Sequence, residues 1–248
     1  MTGVTVVGAG MAGLLAAAML RKDCKGVWES SSELPNNHSA VLRFRSSIVA
    51  DTLNIPFKKV KAIKAVEEWQ NPIADAMAYS RKVTGKATMR SVLSAEAKPE
   101  DRFIAPEDLV QRMADLVDAP IRFGESFDDW FRNDRRSLFK FEHRPGTNVI
   151  VSLADVGAYC SLYVPDPIFP ASRISITGNE MIAECYGGWA PRDEYLFAEQ
   201  CAKKMGLHAS QLGEVQVKSQ TYAKALPVDE NERRRFIMWA SEEYGIYA

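Results

Sequence analysis

A glycine triplet near the N-terminus constrains this chain more than any other feature. Val4 to Val7 reads as an apolar strand running into Gly8-x-Gly10-x-x-Gly13, with a helical stretch from Leu14 to Leu20 behind it. A second strand, Lys25 to Trp28, ends at Glu29. Gly8 permits the tight turn, Gly10 lets the backbone approach a pyrophosphate, and Gly13 lets the helix pack on the strand. The first-turn N–H groups, around Met11 and Ala12, point at the anion. Glu29 lies 21 positions after Gly8, where a carboxylate bonds ribose hydroxyls, and Ser30 stands beside it. The bland alternative is a βαβ turn without a ligand.

Bulk properties narrow the field further. The chain has 248 residues, 46% of them hydrophobic, which suits one large or two small globular domains. Its net charge of −1 provides no global field toward nucleic acid or an anionic membrane. No run approaches the roughly 18 apolar residues of a membrane span. Cys24, Cys160, Cys185 and Cys201 are far apart and form no CxxC pair, so neither a metal site nor a disulfide framework is expected. The default compartment is a reducing cytoplasm.

Beyond Glu29, Ser30 to Ser39 is polar and turn-rich, and Val41 to Arg45 alternates like a short strand. His38, Arg43 and Arg45 either face a pyrophosphate or the reactive end of a cofactor, or are solvated. Lys58 to Leu93 reads as helical, with Val60, Ile63, Ala65, Val66 and Trp69 on one stripe and Lys58, Lys59, Lys61 and Lys64 largely opposite. That lysine cluster is either a polyanion face or a solvated one. Pro72 starts a second helix and Gly85 stops it. Lys98 to Arg102 is a polar break, and a helix follows from Ala105-Pro106-Glu107-Asp108 to near Asp118, with Leu109, Met113, Leu116 and Val117 apolar. Ile121 to Phe123 is a strand, so the return to the nucleotide unit comes late.

From Phe127 to Leu226 the period becomes two. Strands are expected at Phe127, Trp130-Phe131, Leu138 to Phe141, Val149 to Val151, Leu162 to Val164, Arg173 to Thr177, Met181 to Tyr186 and Val215 to Tyr222. Turns are expected at Asn133-Asp134, Pro145-Gly146, Pro165-Asp166-Pro167 and Gly178-Asn179. Asp193 opens a helix that Gly206 closes, and Asp229 to Tyr244 is a last helix carrying Arg233, Arg234 and Arg235. The fold class is therefore α/β: a Rossmann-like nucleotide domain, an inserted helical segment and a mainly antiparallel sheet domain. The expected division is 1–57 with about 98–150 and the C-terminal region, 58–97 as the insertion, and about 151–226 as the sheet.

Val6-Val7-Gly8-Ala9-Gly10-Met11-Ala12-Gly13-Leu14 and Glu29, with the insertion and the sheet, resemble the flavoprotein superfamily of amine oxidases, phytoene desaturases and UDP-galactopyranose mutases. The resemblance implies FAD in preference to NAD, with Ile121 or Phe123 against adenine. It also implies that the sheet bearing Tyr163, Arg173, Tyr186 and Trp189 covers the flavin. Pro165 to Asn179 is similar to a tract in mutase-like members and small phage relatives, some of them in pathways that hypermodify thymidine. The chain departs from the family where a double glycine and arginine follow the ribose acid; here the loop reads Pro35-Asn36-Asn37-His38-Ser39-Ala40.

A flavin brings its own redox chemistry, so no nucleophile or metal set is needed. His38, Tyr163 and Arg173 are the catalytic candidates. Arg173 either holds a substrate carboxylate or phosphate, or forms a structural ion pair. Three functions stay open: an FAD-dependent enzyme, oxidoreductase or mutase-like, acting on a small amine, amino acid or sugar-nucleotide group; a flavoenzyme of nucleic-acid modification; and a non-enzymatic nucleotide-binding partner. An oligomer is compatible with each.

Overall fold

The computed structural model describes residues 3–34, 43–87, 98–125 and 141–244. The chain runs β1 (Val4–Val7), α1 (Met11–Leu20), β2 (Cys24–Glu29), β3 (Arg43–Phe44), α2 (Ile48–Leu53), β4 (Lys58–Val66), α3 (Pro72–Thr84), β5 (Lys98–Ile104), α4 (Leu109–Asp115) and β6 (Ile121–Phe123). It continues with β7 (Phe141–Leu153), β8 (Ala158–Tyr163), β9 (Ala171–Gly178), β10 (Glu180–Tyr186), α5 (Glu194–Lys204), β11 (Leu212–Pro227) and α6 (Glu230–Tyr244). Its contacts separate two compact units, Met1–Val60 with Asp101–Arg136 and Lys61–Glu100 with Ser137–Ala248.

The first unit is built on a parallel sheet in the order β1-β2-β6. The middle strand pairs Val27 with both Val6 and Ile121, and Glu29 with Phe123. Its packed apolar layer includes Val27, Leu14, Ala17, Leu109 and Met113, all at most 1% exposed. The helix α1 is alanine-rich, so it lies close to the sheet, and Arg21 at φ 50° ends it.

The second unit has strands in the order β11-β7-β10-β9-β8-β4, antiparallel except for the β4–β8 pair. Alternation sorts its two faces. Val149, Val151, Ile174, Ile176, Met181 and Ala183 point into a core shared with Phe197, Ala198 and Cys201 of α5. The other face places polar groups beside Ile150 and Ile182: Ser161 and Ser175 share a hydrogen bond of 3.2 Å there, and Arg173 pairs with Glu184. Asp193 caps α5 by accepting the Leu196 N–H at 2.9 Å, and Gly206 at φ 74° follows its end.

Four sequence expectations are corrected. Residues 58–66 form a strand: Ala62 is buried between exposed Lys61 and Ile63, and Ile63 to Val66 pair with Cys160 to Tyr163. The four lysines therefore alternate between two faces and form no single polyanion surface. Lys98 to Arg102 belongs to β5, whose Phe103 and Ile104 pair with Phe44 and Arg43. Pro145-Gly146 lies within β7, opposite a bulge between Gln220 and Lys224 of β11. Finally, the long β7–β11 pairing draws residues 141–150 and the C-terminal region into the second unit.

The helix α3 meets expectation closely. Asn71 accepts the Ala74 N–H at 3.0 Å to start α3, and Gly85 at φ 80° stops it. The helix α4 is shorter than expected and leaves Leu116 at 42% exposed. The expected strands at Phe127, Trp130-Phe131 and Leu138-Phe139, and the expected turn at Asn133-Asp134, lie outside the described residues.

Candidate functional site

The glycine turn follows the residue logic step by step. Gly8 takes φ 92°, and its N–H donates to the Trp28 carbonyl at 2.7 Å, which ties the end of β1 to β2. A Cβ on Gly13 would strike the Gly8 carbonyl oxygen, so only glycine permits this approach of helix and turn. A Cβ on Gly10 would meet nothing within 4 Å, so the turn fronts open space. Gly10 is the extended N-cap of α1, with no side-chain acceptor and no acidic residue in the first turn. The positive end of the helix, at Met11 and Ala12, is left for an anion.

Glu29 completes this cradle. It is 7% exposed, and its Oε2 accepts the Ala9 N–H at 2.7 Å. Its Oε1 accepts the Ser31 N–H at 2.9 Å and the Ser30 hydroxyl at 3.3 Å. Burial acts to raise the Glu29 pKa, but the N–H groups of Ser31 and Ala9 and the two serine hydroxyls more than reverse it, leaving the carboxyl below its usual range. Each carboxylate oxygen has two lone pairs, so Oε2 keeps one for an incoming hydroxyl. An anion over the helix end and a vicinal diol at Glu29 fit this arrangement.

The remaining nucleotide candidates divide. Phe123 lies opposite Glu29 in register and is 40% exposed, whereas Ile121 packs on the core of the unit. Gly124 and Glu125 extend this edge, donating N–H groups to the carbonyls of Ser31 at 2.9 Å and Glu29 at 3.0 Å. Arg43 sits on β3 opposite Ile104, and Arg45 is exposed just beyond it. His38 lies outside the described residues.

In the second unit, register brings the other candidates together. Arg173 is the cross-strand neighbour of Tyr163 on β8 and of Glu184 on β10. Its guanidinium pairs with the Glu184 carboxylate, as the structural reading of this arginine expects. Burial opposes that charge, but Glu184 and Tyr163 outweigh burial and hold the guanidinium protonated. Tyr79 of α3 meets the Tyr163 ring edge-on at 5.4 Å, and the Lys64 ammonium lies 5.0 Å from the same ring. Burial pushes the Tyr79 phenol above its usual range and that of Tyr186 to about 12, so both remain neutral donors at ordinary pH. This face offers a paired cation and anion flanked by phenols.

Other singled-out residues have structural roles. Trp189 packs on Phe197 at 4.6 Å within the apolar core. His143 is exposed on β7. Arg233 and Arg234 reach Glu230, and Arg235 reaches Glu232, along their own helix. All four cysteines are free, and no His/Cys/Asp/Glu group among the described residues can hold a metal. No helix among them is long and apolar enough to cross a membrane.

No protein-family model matches the chain, and no curated protein matches its sequence. Solved structures do share its fold. Reduced UDP-galactopyranose mutase is similar over 98% of this chain and 86% of that one, with a TM-score of 0.62 and 11% identity. A candidate protoporphyrinogen oxidase from Exiguobacterium sp. 255-15 is similar over 98% and 92%, with a TM-score of 0.54 and 9% identity. The p-nitrophenol 4-monooxygenase PnpA from Pseudomonas putida DLL-E4 is similar over 88% and 68%, with a TM-score of 0.50 and 11% identity. At these identities the likeness is one of fold, and it is the α/β fold with an antiparallel sheet that the sequence resemblance implies.

Proposed function

We propose that this chain is an FAD-dependent enzyme, an oxidoreductase acting on a small amine, amino acid or related group. The observation that carries the reading is the cradle in which Gly10 fronts open space, α1 presents an uncapped N-terminus and Glu29 is fixed by the loop it faces. Gly8, Gly10, Met11, Ala12 and Gly13 would hold the diphosphate, Glu29 and Ser30 the ribose, and Phe123 the edge of the adenine. A bound flavin supplies two-electron redox chemistry, which the protein directs by binding and orientation.

The second unit supports the proposed substrate class. Arg173 offers a carboxylate a charged planar donor, and Glu184 beside it offers an ammonium a counter-charge. Tyr79, Tyr163 and Tyr186 add phenols, two of them held neutral by burial. A zwitterionic or amine-bearing molecule matches that set.

The test begins with the purified protein. It is expected to be yellow, to release FAD on denaturation, and to have its flavin reduced by an amine or amino acid under anaerobic conditions. A colourless protein that cannot be reconstituted with FAD overturns the cofactor assignment. Bound FAD that no amine, amino acid or NAD(P)H reduces overturns the enzymatic reading and leaves a nucleotide-binding partner.

A further inference from the structure

Lys82 lies in the last turn of α3, but its side chain ends among backbone carbonyls. Its Nζ donates to the carbonyl oxygens of Val164 at 2.8 Å, Asp166 at 2.8 Å and Ala171 at 2.7 Å. Val164 and Asp166 belong to the connection between β8 and β9, and Ala171 opens β9. That connection is closed at its neck by the Val164 N–H, which donates to Ser172 at 2.9 Å, and turned by Asp166, which accepts the Ile168 N–H at 2.9 Å.

An ammonium has three N–H bonds and no acceptor, so three converging carbonyls satisfy it completely. A neutral amine has only two N–H bonds, and its lone pair would oppose the third oxygen. Carbonyl oxygens set in this way are also the ligands that replace the hydration shell of a weakly hydrated monovalent cation.

We propose that the carbonyl oxygens of Val164, Asp166 and Ala171 form a monovalent-cation site that the chain fills with its own Lys82 ammonium. The tethered cation fixes the connection between Tyr163 and Arg173, which lie at its two ends. Lys82 also stands one helical turn beyond Tyr79, whose ring meets Tyr163. It is therefore a positioning residue for the phenol and guanidinium cluster. That consequence rests on the proposed function; the cation site does not.

The surroundings make the site sensitive to pH. Burial pulls the Lys82 pKa down to about 8, against the opposing pull of the Asp166 carboxylate and Glu67, with Lys204 adding to the depression. Glu67 is itself paired with Lys204, and burial holds the Cys185 thiol at about 12, so it stays protonated and uncharged in this range. On the alkaline side of about 8 the amine loses one donor, and one of the three carbonyls loses its partner.

The test uses the full chain and amide hydrogen exchange. Lys82→Ala removes the equivalent of n-propylammonium and leaves the three carbonyls in place. At neutral pH the amides of residues 164–172 are expected to lose protection by about tenfold or more, as for a lost charge-assisted hydrogen-bond set, while those of residues 4–29 are unchanged. Added n-propylammonium chloride should restore protection saturably, and tetramethylammonium chloride at equal ionic strength should not. Exchange identical to wild type, or equal rescue by both salts, overturns the proposal. Should Lys82→Ala fail to fold, wild-type protection of residues 164–172, corrected for intrinsic exchange, must fall above a pH of about 8; a flat profile overturns it. A yellow protein that fails this exchange test refutes the cation site alone, and a colourless protein that passes refutes only the flavin reading.

Discussion

Glu29 and Ala9, 20 residues apart in sequence, are joined by a hydrogen bond of 2.7 Å from the Ala9 N–H to Glu29 Oε2. The carboxylate proposed to meet the ribose thus also holds the glycine turn in shape. Under that proposal, binding and folding are coupled through one side chain.

Replacing Glu29 with alanine should therefore lower stability as well as nucleotide affinity. It leaves the Ala9 and Ser31 N–H groups without their acceptor, at a cost of about 1–3 kcal/mol, read as a drop in Tm. The pH dependence has a definite sign. The folded-state pKa lies below the ordinary 4.5, so the stabilisation is complete above that value and is lost as pH falls through the folded one. The Tm difference between wild type and Glu29→Gln should be constant near neutrality and should shrink in acid. A difference that grows in acid contradicts this assignment.

Gly10 and Gly13 should separate the two roles that Glu29 combines. Gly13→Ala drives a Cβ into the Gly8 carbonyl oxygen, a backbone group that cannot swing aside, so a stability loss of about 1–3 kcal/mol is expected. Gly10→Ala meets open space and should lower stability by about 0.5–1 kcal/mol, the difference between glycine and alanine at an N-cap. Its methyl nevertheless occupies the approach reserved for the diphosphate, so FAD affinity should fall at least about tenfold, or about 1.4 kcal/mol. Denaturation of the apoprotein and FAD titration together check both statements. Equal FAD affinity in Gly10→Ala and wild type would remove the turn from the binding site.

The first unit was legible because its signal is local. Gly8 and Gly13 answer backbone and steric demands, and Glu29 a hydrogen-bonding one, all set within one βαβ unit. The strand β4 was not legible in the same way. Its sequence, Lys-Lys-Val-Lys-Ala-Ile-Lys-Ala-Val, satisfies a helical stripe and an alternating strand alike. The choice is made by β8, whose Cys160 to Tyr163 offer an open edge to Ile63 to Val66. Pro145-Gly146 misleads for a related reason: a proline and a glycine normally mark a turn, but a bulge in the partner strand accommodates both. Lys82 carried no signal because its acceptors are main-chain carbonyls, which every residue possesses.

Thiol reactivity gives a simple check on the core of the second unit. Cys185 and Cys201 are at most 1% exposed, and burial raises both thiols, that of Cys185 to about 12. Cys24 is 5% exposed, and only Cys160 is half-buried. An aromatic disulfide reagent at neutral pH should label at most Cys160 in the native state and all four thiols in denaturant. Rapid native labelling of Cys185 or Cys201 would mean that α5 does not cover the sheet as described.

Arg173 offers the sharpest division between a structural and a substrate-handling role. Its partner Glu184 is directly across the strand pair, and both side chains are partly buried, at 33% and 21% exposure. Arg173→Met leaves the Glu184 carboxylate without its counter-charge, so a loss of about 2 kcal/mol is expected, within the range for hydrogen bonds to charged groups. Adding Glu184→Gln should recover part of that loss, because the remaining charge is removed; a double-mutant cycle measures the coupling. Arg173→Lys keeps a cation opposite Glu184 but loses the planar fork. If Arg173 also receives a substrate carboxylate, this variant should fold with near wild-type stability and raise KM more than it lowers kcat. Unchanged KM in a stable Arg173→Lys enzyme would confine the residue to its ion pair and leave substrate recognition to the phenols of Tyr79, Tyr163 and Tyr186.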